Sequence, residues 1–307
     1  VIDLKKDDKE NFLEKSGDVW DKATLNYLLN GNSKEIYNRK SLYQDIVILE
    51  VPDIRMYLDE QLQFSSVDEK FYHEALVHPA MFSLSNCSNV LILGGGDGFA
   101  LREVLKYPEV KHVDLVELDP MVIKLAKSSP IVKLNKGSLK DKRVHIHEMD
   151  AQDFFSNDTP LYQLIIVDFP DPQNDDISKL YTKEFFSRIS QYLDKDGILV
   201  CQSHSPEDAP RVYWSIGLTL QSTGLTTCSY QTYVPSFGMW GYHLASKNKD
   251  AAFLRKSNSI PTDTLPDDLS SLYHFPKSIL EEKEHAVVNT LSNLTLHEIY
   301  IEDIYED

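Results

Sequence analysis

A doubly wound α/β sheet, preceded by a small β-rich domain, is the fold class this sequence predicts. Three observations predict it. From residue 90 onward, short apolar runs bounded by turn residues alternate with helix-length segments. The run Leu164-Ile165-Ile166-Val167 is continuous rather than alternating, as in a parallel strand buried on both faces. Residues 43–64 instead hold closely spaced strand-like runs with no room for a helix between them.

The elements follow in order. Residues 1–19 are charged and aperiodic and read as a linker or frayed end. Trp20, Leu25, Leu28 and Leu29 give a short amphipathic helix that Gly31 stops. Strands are expected at 43–50, 54–59 and 61–64, as a meander. The N-terminal domain is placed at 20–66 and the main domain at 67–307, opening with a helix over Asp68–Met81. Strand Val90–Leu93 runs into a Gly-rich turn and a helix over 99–107. Strands then follow at His112–Leu118, Val144–His147, Leu164–Asp168 and Ile198–Ser203. Helices are expected from Pro120, over Leu180–Leu193 and over Pro210–Ser222, before two last strands near 226–233 and 241–246. Residues 247–307 read as irregular and then helical.

Composition bounds the function. The 307 residues carry 31 Lys+Arg against 48 Asp+Glu, a net charge of −17. That balance argues against nucleic acid and against charge-driven docking on anionic membranes. It suits cationic ligands, although solubility alone also explains it. Three widely spaced cysteines (Cys87, Cys201, Cys228) form no zinc pattern and fit a reducing cytosol. No apolar run approaches 18 residues. The first residue is Val, so a start inside a longer gene product or a removed tag is expected.

The motifs carry the chemistry. Gly94, Gly95, Gly96, Asp97 and Gly98 follow the first strand of the sheet, where a nucleotide can approach the backbone. Glu117 ends the next strand, 19 residues after Gly98, and is placed to accept ribose hydroxyls. The GxGxG spacing fits adenosyl-sulfonium binders better than the dinucleotide fingerprint. Asp97 inside the turn would repel a methionine carboxylate and attract a lone amine. That favours a decarboxylated cofactor. Asp150, with Ala151, ends the third strand, where an adenine edge would lie; it could also cap a helix. Asp168 and Asp171, stiffened by Pro170 and Pro172, form a rigid anionic loop at the C-terminal end of the fourth strand.

Taken with Tyr43-Gln44, Leu62-Gln63-Phe64, Asp68-Glu69, Tyr72-His73-Glu74, Val116–Asp119, Pro235–Gly238 and Trp240-Gly241, the chain resembles the spermidine synthases of the aminopropyltransferase family. The match is collinear over residues 20–246, and the chain resembles a bacterial branch whose catalytic domain follows a membrane-spanning half. The resemblance implies a Rossmann-like sheet of the class I S-adenosylmethionine-dependent transferase type. It implies transfer of the aminopropyl group of decarboxylated S-adenosylmethionine, a co-substrate, to putrescine or a related amine. Spermidine and 5′-methylthioadenosine are the products. No tightly bound cofactor and no metal are expected.

By motif position, Asp168 is the expected base and Asp171 its partner acid. Asp97 would hold the aminopropyl amine, Glu117 the ribose, Asp150 the adenine and Gln44 the sugar or sulfur region. His73 would contact the cofactor, while Tyr72, Gln202 and Phe237 would line the diamine site. A homodimer or homotetramer, paired through the N-terminal domain, is implied. So is a cytoplasmic enzyme, tethered to the membrane's cytoplasmic face if a transmembrane part precedes it.

Departures from the family pattern also set expectations. Phe237 stands where many relatives have Tyr, so a hydroxyl is absent. Asp175 or Asp176 is expected to replace an acid missing near Ser178. Asp59-Glu60, in place of Asp-Gly, predicts a hairpin without a tight two-residue turn. Rival readings are an S-adenosylmethionine-dependent methyltransferase and a non-catalytic polyamine- or nucleoside-binding homologue.

Overall fold

The computed structural model describes residues 19–248, 253 and 260–305. The linker expected over 1–19 lies, but for its last residue, outside them. The chain divides into two compact units, Val1–Asp68 and Glu69–Asp307.

In the first unit, helix α1 (Val19–Tyr27) continues into one wider turn over Leu28–Asn32. Gly31, at φ +91°, ends it as the sequence predicts. A four-stranded antiparallel meander follows: β1 (Lys34–Lys40), β2 (Asp45–Glu50), β3 (Ile54–Leu58) and β4 (Gln61–Ser65). Leu25 and Leu28 close its core against Val47, Leu49 and Tyr57. Strand β1 has no counterpart in the sequence reading. Its residues, Lys-Glu-Ile-Tyr-Asn-Arg-Lys, bury no side chain, so no apolar alternation marks them.

The hairpin joining β3 to β4 corrects an expectation. Leu58 pairs with Gln61, leaving a tight two-residue turn in which Asp59 (φ +46°) and Glu60 (φ +70°) are both left-handed. The Asp59 carboxylate accepts the Asp45 N–H at 2.8 Å, and the Asp59 N–H donates to the Asp45 carbonyl at 2.9 Å. Lys22 pairs with Glu60 at 3.1 Å. These contacts offset the steric cost of two non-glycine residues there.

The second unit opens with α2 (Glu69–Phe82). Its seven-stranded sheet has the order β10-β11-β9-β8-β5-β6-β7. The strands are β5 (Asn89–Gly94), β6 (His112–Glu117), β7 (Val144–Glu148), β8 (Tyr162–Asp168), β9 (Leu193–Gln202), β10 (Thr226–Val234) and β11 (Gly238–Ser246). The first five are mutually parallel, and β11 and β10 add antiparallel at one edge. Helices lie between them: α3 (Phe99–Val104), α4 (Pro120–Ala126), α5 (Ile131–Leu134), α6 (Asp175–Ser178), α7 (Lys183–Gln191) and α8 (Pro210–Ser222). Near the C-terminus come α9 (Lys277–Glu281) and α10 (Leu296–Tyr305). The expected Rossmann-like α/β class is therefore observed.

The central strands are buried through Leu91–Leu93 and Leu164–Val167, as their unbroken apolar runs require. Several boundaries differ. Strand β9 begins at Leu193, five residues early, because Leu193 pairs with Tyr162 ahead of the polar Asp194–Asp196 stretch. The helix expected from Leu180 starts only at Lys183, where the Thr182 hydroxyl caps the Phe185 N–H at 3.3 Å. All three cysteines are free. Among the described residues no helix is long and apolar enough to cross a membrane.

Candidate active site

The C-terminal ends of β5, β6 and β8 converge on one acidic cluster. Gly94 pairs with Asp168 across the parallel ladder. The glycine turn that follows must lie close against both flanking strand ends. A Cβ on Gly96 would sit 2.6 Å from Glu117 Oε2, and one on Gly95 3.1 Å from Asp168 Oδ2. Gly94, Gly95 and Gly98 also have positive φ. The glycines are thus explained by approach and backbone alike.

Glu117 is fixed by two backbone donors, the Gly96 N–H at 3.2 Å and the Asp119 N–H at 2.9 Å. Burial nevertheless pushes its carboxyl up to about 7. Asp97 accepts the Phe99 N–H at 2.8 Å, and burial raises its pKa as well. Asp168 is pushed up to about 6, mainly by burial, with His73 pulling it down and Asp97 pushing it up.

Helix α2 brings two aromatic side chains to this cluster. The Tyr242 hydroxyl donates to the Tyr72 carbonyl at 3.1 Å and the Tyr230 hydroxyl to the Ala75 carbonyl at 2.8 Å, pinning the helix to the sheet. The Tyr72 hydroxyl then donates to Asp168 Oδ1 at 2.7 Å. His73 is buried, with Nδ1 2.7 Å from the Glu69 carbonyl and 3.2 Å from Glu69 Oε2. Its Nε2 lies 4.0 Å from Asp97 Oδ2. Burial opposes a charge on His73, but the Glu69 hydrogen bond and the Asp97, Glu69 and Asp168 carboxylates outweigh it and lift the ring to about 9. Arg102 grips Glu69 with two nitrogens, at 2.7 and 2.9 Å.

The Asp168–Pro172 loop is tied to the end of β9. Gln202 Nε2 donates to the Phe169 carbonyl at 2.6 Å and lies 3.3 Å from Asp171 Oδ1. The Tyr181 hydroxyl reaches the Phe169 and Pro170 carbonyls at 3.2 and 3.0 Å. Gln202 is buried and so shapes the loop from behind. Phe237 lies in the β10–β11 turn, its ring 6.1 Å from Tyr72 and 5.1 Å from Trp240.

The structure thus brings together Tyr72, His73, Gly94–Gly96, Asp97, Glu117 and Asp168, with Asp171, Gln202 and Phe237 adjoining through named contacts. Asp150 lies two residues past β7, where it accepts the Gln152 N–H at 2.8 Å, and Ala151 beside it is buried. Gln44 belongs to the first unit, in the loop before β2, where its N–H bonds to Ser41 Oγ at 3.0 Å. Asp175 and Asp176 do not replace the missing acid. Both are exposed in the first turn of α6, where Asp175 meets His297 at 3.2 Å and Asp176 meets Lys179 at 2.7 Å.

Three residues received no role in the sequence reading: Glu69, which bonds His73, Arg102, which grips Glu69, and His204, beside Asp171. Glu69 stands in a matching motif without a role and Arg102 reads as an ordinary helix charge; their burial together distinguishes them. Glu74, His78 and Glu103 offer ligand atoms within 4.8 Å of one another. That cluster is already filled, by Lys106 at 2.5 Å from Glu103 and by Thr264 Oγ1 at 2.7 Å from Glu74.

Comparison with known proteins identifies the family and the fold. A family model described as the spermine/spermidine synthase domain matches residues 69–257. Polyamine aminopropyltransferase 2 of Bacillus cereus is 50% identical over 291 residues, covering 94% of this chain and 80% of that protein. The polyamine aminopropyltransferase of Oceanobacillus iheyensis is 49% identical over 216 residues, covering 70% of this chain and 42% of that one. A crystal structure of spermidine synthase with the transition-state analogue AdoDATO superposes with a TM-score of 0.74 at 27% identity, covering 82% of this chain and 89% of that chain. Spermidine synthase from Thermotoga maritima gives 0.72 at 27% identity, covering 82% and 88%. With the family model spanning 69–257 and a relative half identical over nearly all of it, the chain belongs to the spermine/spermidine synthase family.

Proposed function

We propose that the chain moves the aminopropyl group of decarboxylated S-adenosylmethionine to a diamine, putrescine by default, giving spermidine and 5′-methylthioadenosine. The observation that carries this reading is the Asp168 carboxylate, held by Tyr72 and facing the glycine turn beside Asp97 and His73. A methyl donor with an α-carboxylate would meet Asp97 charge to charge; a donor ending in an ammonium would not.

In this reading Glu117 takes the ribose hydroxyls, Asp150 and Ala151 flank the adenine, and Asp97 takes the donor's ammonium. The acceptor amine lies between Tyr72, Asp168 and Asp171, with Phe237 and Trp240 along its hydrocarbon chain. The amine arrives protonated, near a pKa of about 10. Asp168 accepts a proton from it. The amine nitrogen then bonds to the propyl carbon, the carbon–sulfur bond breaks, and its electron pair neutralises the sulfonium. Burial makes Asp168 a stronger proton acceptor than an ordinary carboxylate, which narrows its gap to the amine. Holding nitrogen and carbon in line supplies much of the remaining rate.

The test is Asp168→Asn. Turnover should fall by at least ~100-fold while 5′-methylthioadenosine binds within a few-fold of the parent enzyme. Near-parental turnover would take the base role away from Asp168.

A further inference from the structure

The acid loop has a neighbour that the reaction as described does not use. His204 is buried, two residues past β9, and its backbone is left-handed at φ +66°, a conformation uncommon for a residue with a side chain. Several bonds hold it there. Its N–H donates to Gln202 Oε1 at 3.0 Å, and its carbonyl accepts the Gly241 N–H at 2.8 Å. The ring packs 5.1 Å from Trp240 and 5.3 Å, edge on, from Tyr300.

The backbone N–H of Ser205 donates to Nδ1 at 2.6 Å. A nitrogen that accepts carries no proton, so the ring hydrogen sits on Nε2. That nitrogen is 3.7 Å from Asp171 Oδ2. The opposite oxygen, Oδ1, lies 3.3 Å from Gln202 Nε2. Two fixed N–H groups thus flank one carboxylate, and each is anchored to backbone. The distance is long for a hydrogen bond, and such contacts commonly tighten in the substrate complex.

We propose that His204 is a positioning residue that turns Asp171 toward the acceptor amine. The fixed tautomer presents the Nε2 N–H to the Asp171 carboxylate. This deepens the aminopropyl-transfer reading and rests on it for the identity of the amine.

Two variants and one spectrum test it. His204→Phe keeps the ring against Trp240 and Tyr300 but removes the N–H. It should raise the amine KM about tenfold or more, the scale of a lost hydrogen bond to a charged group, while the KM for decarboxylated S-adenosylmethionine holds. His204→Gln, which restores a donor, should keep the amine KM within about threefold of the parent. Equal impairment of both variants, a parallel rise in both KM values, or no change in either would overturn the proposal. The ¹⁵N signals of the His204 ring should show hydrogen on Nε2 and move in Asp171→Asn. A ring protonated on Nδ1, or one indifferent to Asp171, would also overturn it. If the parent enzyme transfers to no amine, the activity reading falls, and the ring signals still decide the His204–Asp171 pairing.

Discussion

At the scale of single residues, the site works by setting carboxylates against one another. Asp97, Glu117 and Asp168 are all pushed above their ordinary values by burial, and each would be ionised more readily once a cation arrived. The site therefore holds a preference for positive charge. Tyr72 modulates it, because its hydroxyl bond favours the ionised form of Asp168. Removing that bond in Tyr72→Phe should raise the Asp168 pKa further. The ionised base would then be lost at a higher pH, so the acid limb of the kcat/KM profile should shift upward from near 6. A profile unmoved by Tyr72→Phe would mean that Asp168 is not the titrating base. Asp97, Asp168 and Asp171 were legible in the sequence because strand-end carboxylates beside glycines and prolines are conspicuous. Glu69, Arg102 and His204 were not, because a one-dimensional reading cannot see which charges become buried together.

At the scale of elements, periodicity served the buried parallel strands well and failed where strands are exposed. The runs at Leu91–Leu93 and Leu164–Val167 announce themselves through apolar side chains that the sheet hides on both faces. Strand β1 hides none, so it carries no such signal. The β3–β4 hairpin teaches the same lesson for turns. The Asp59-Glu60 pair argues against a two-residue turn, but side-chain and backbone bonds from Asp59 to Asp45 impose one. The residual strain falls on Glu60, at φ +70°. Glu60→Gly should therefore stabilise the protein by about 0.5–1 kcal/mol, less whatever the partly exposed Lys22 pairing contributes. Denaturant midpoints would show it. A loss of stability would mean that the Lys22–Glu60 pair outweighs the backbone strain.

At the scale of the whole molecule, the net charge of −17 divides into two parts. A few half-buried acids carry the chemistry proposed for two cationic substrates, and the many exposed ones are solvated surface. The antiparallel meander of the first unit is expected to pair between subunits, so light scattering at micromolar concentration should report a dimer or tetramer. A monomer there would contradict that assignment. Aminopropyl transfer itself is tested most directly by product mass. The purified protein is given decarboxylated S-adenosylmethionine with putrescine, cadaverine, agmatine and spermidine in competition, and intact S-adenosylmethionine in a parallel reaction. One amine, putrescine by default, should gain an aminopropyl group, with one 5′-methylthioadenosine released for each product formed. Methyl transfer from intact S-adenosylmethionine without release of methylthioadenosine, or binding of these amines without turnover of any, would contradict the account.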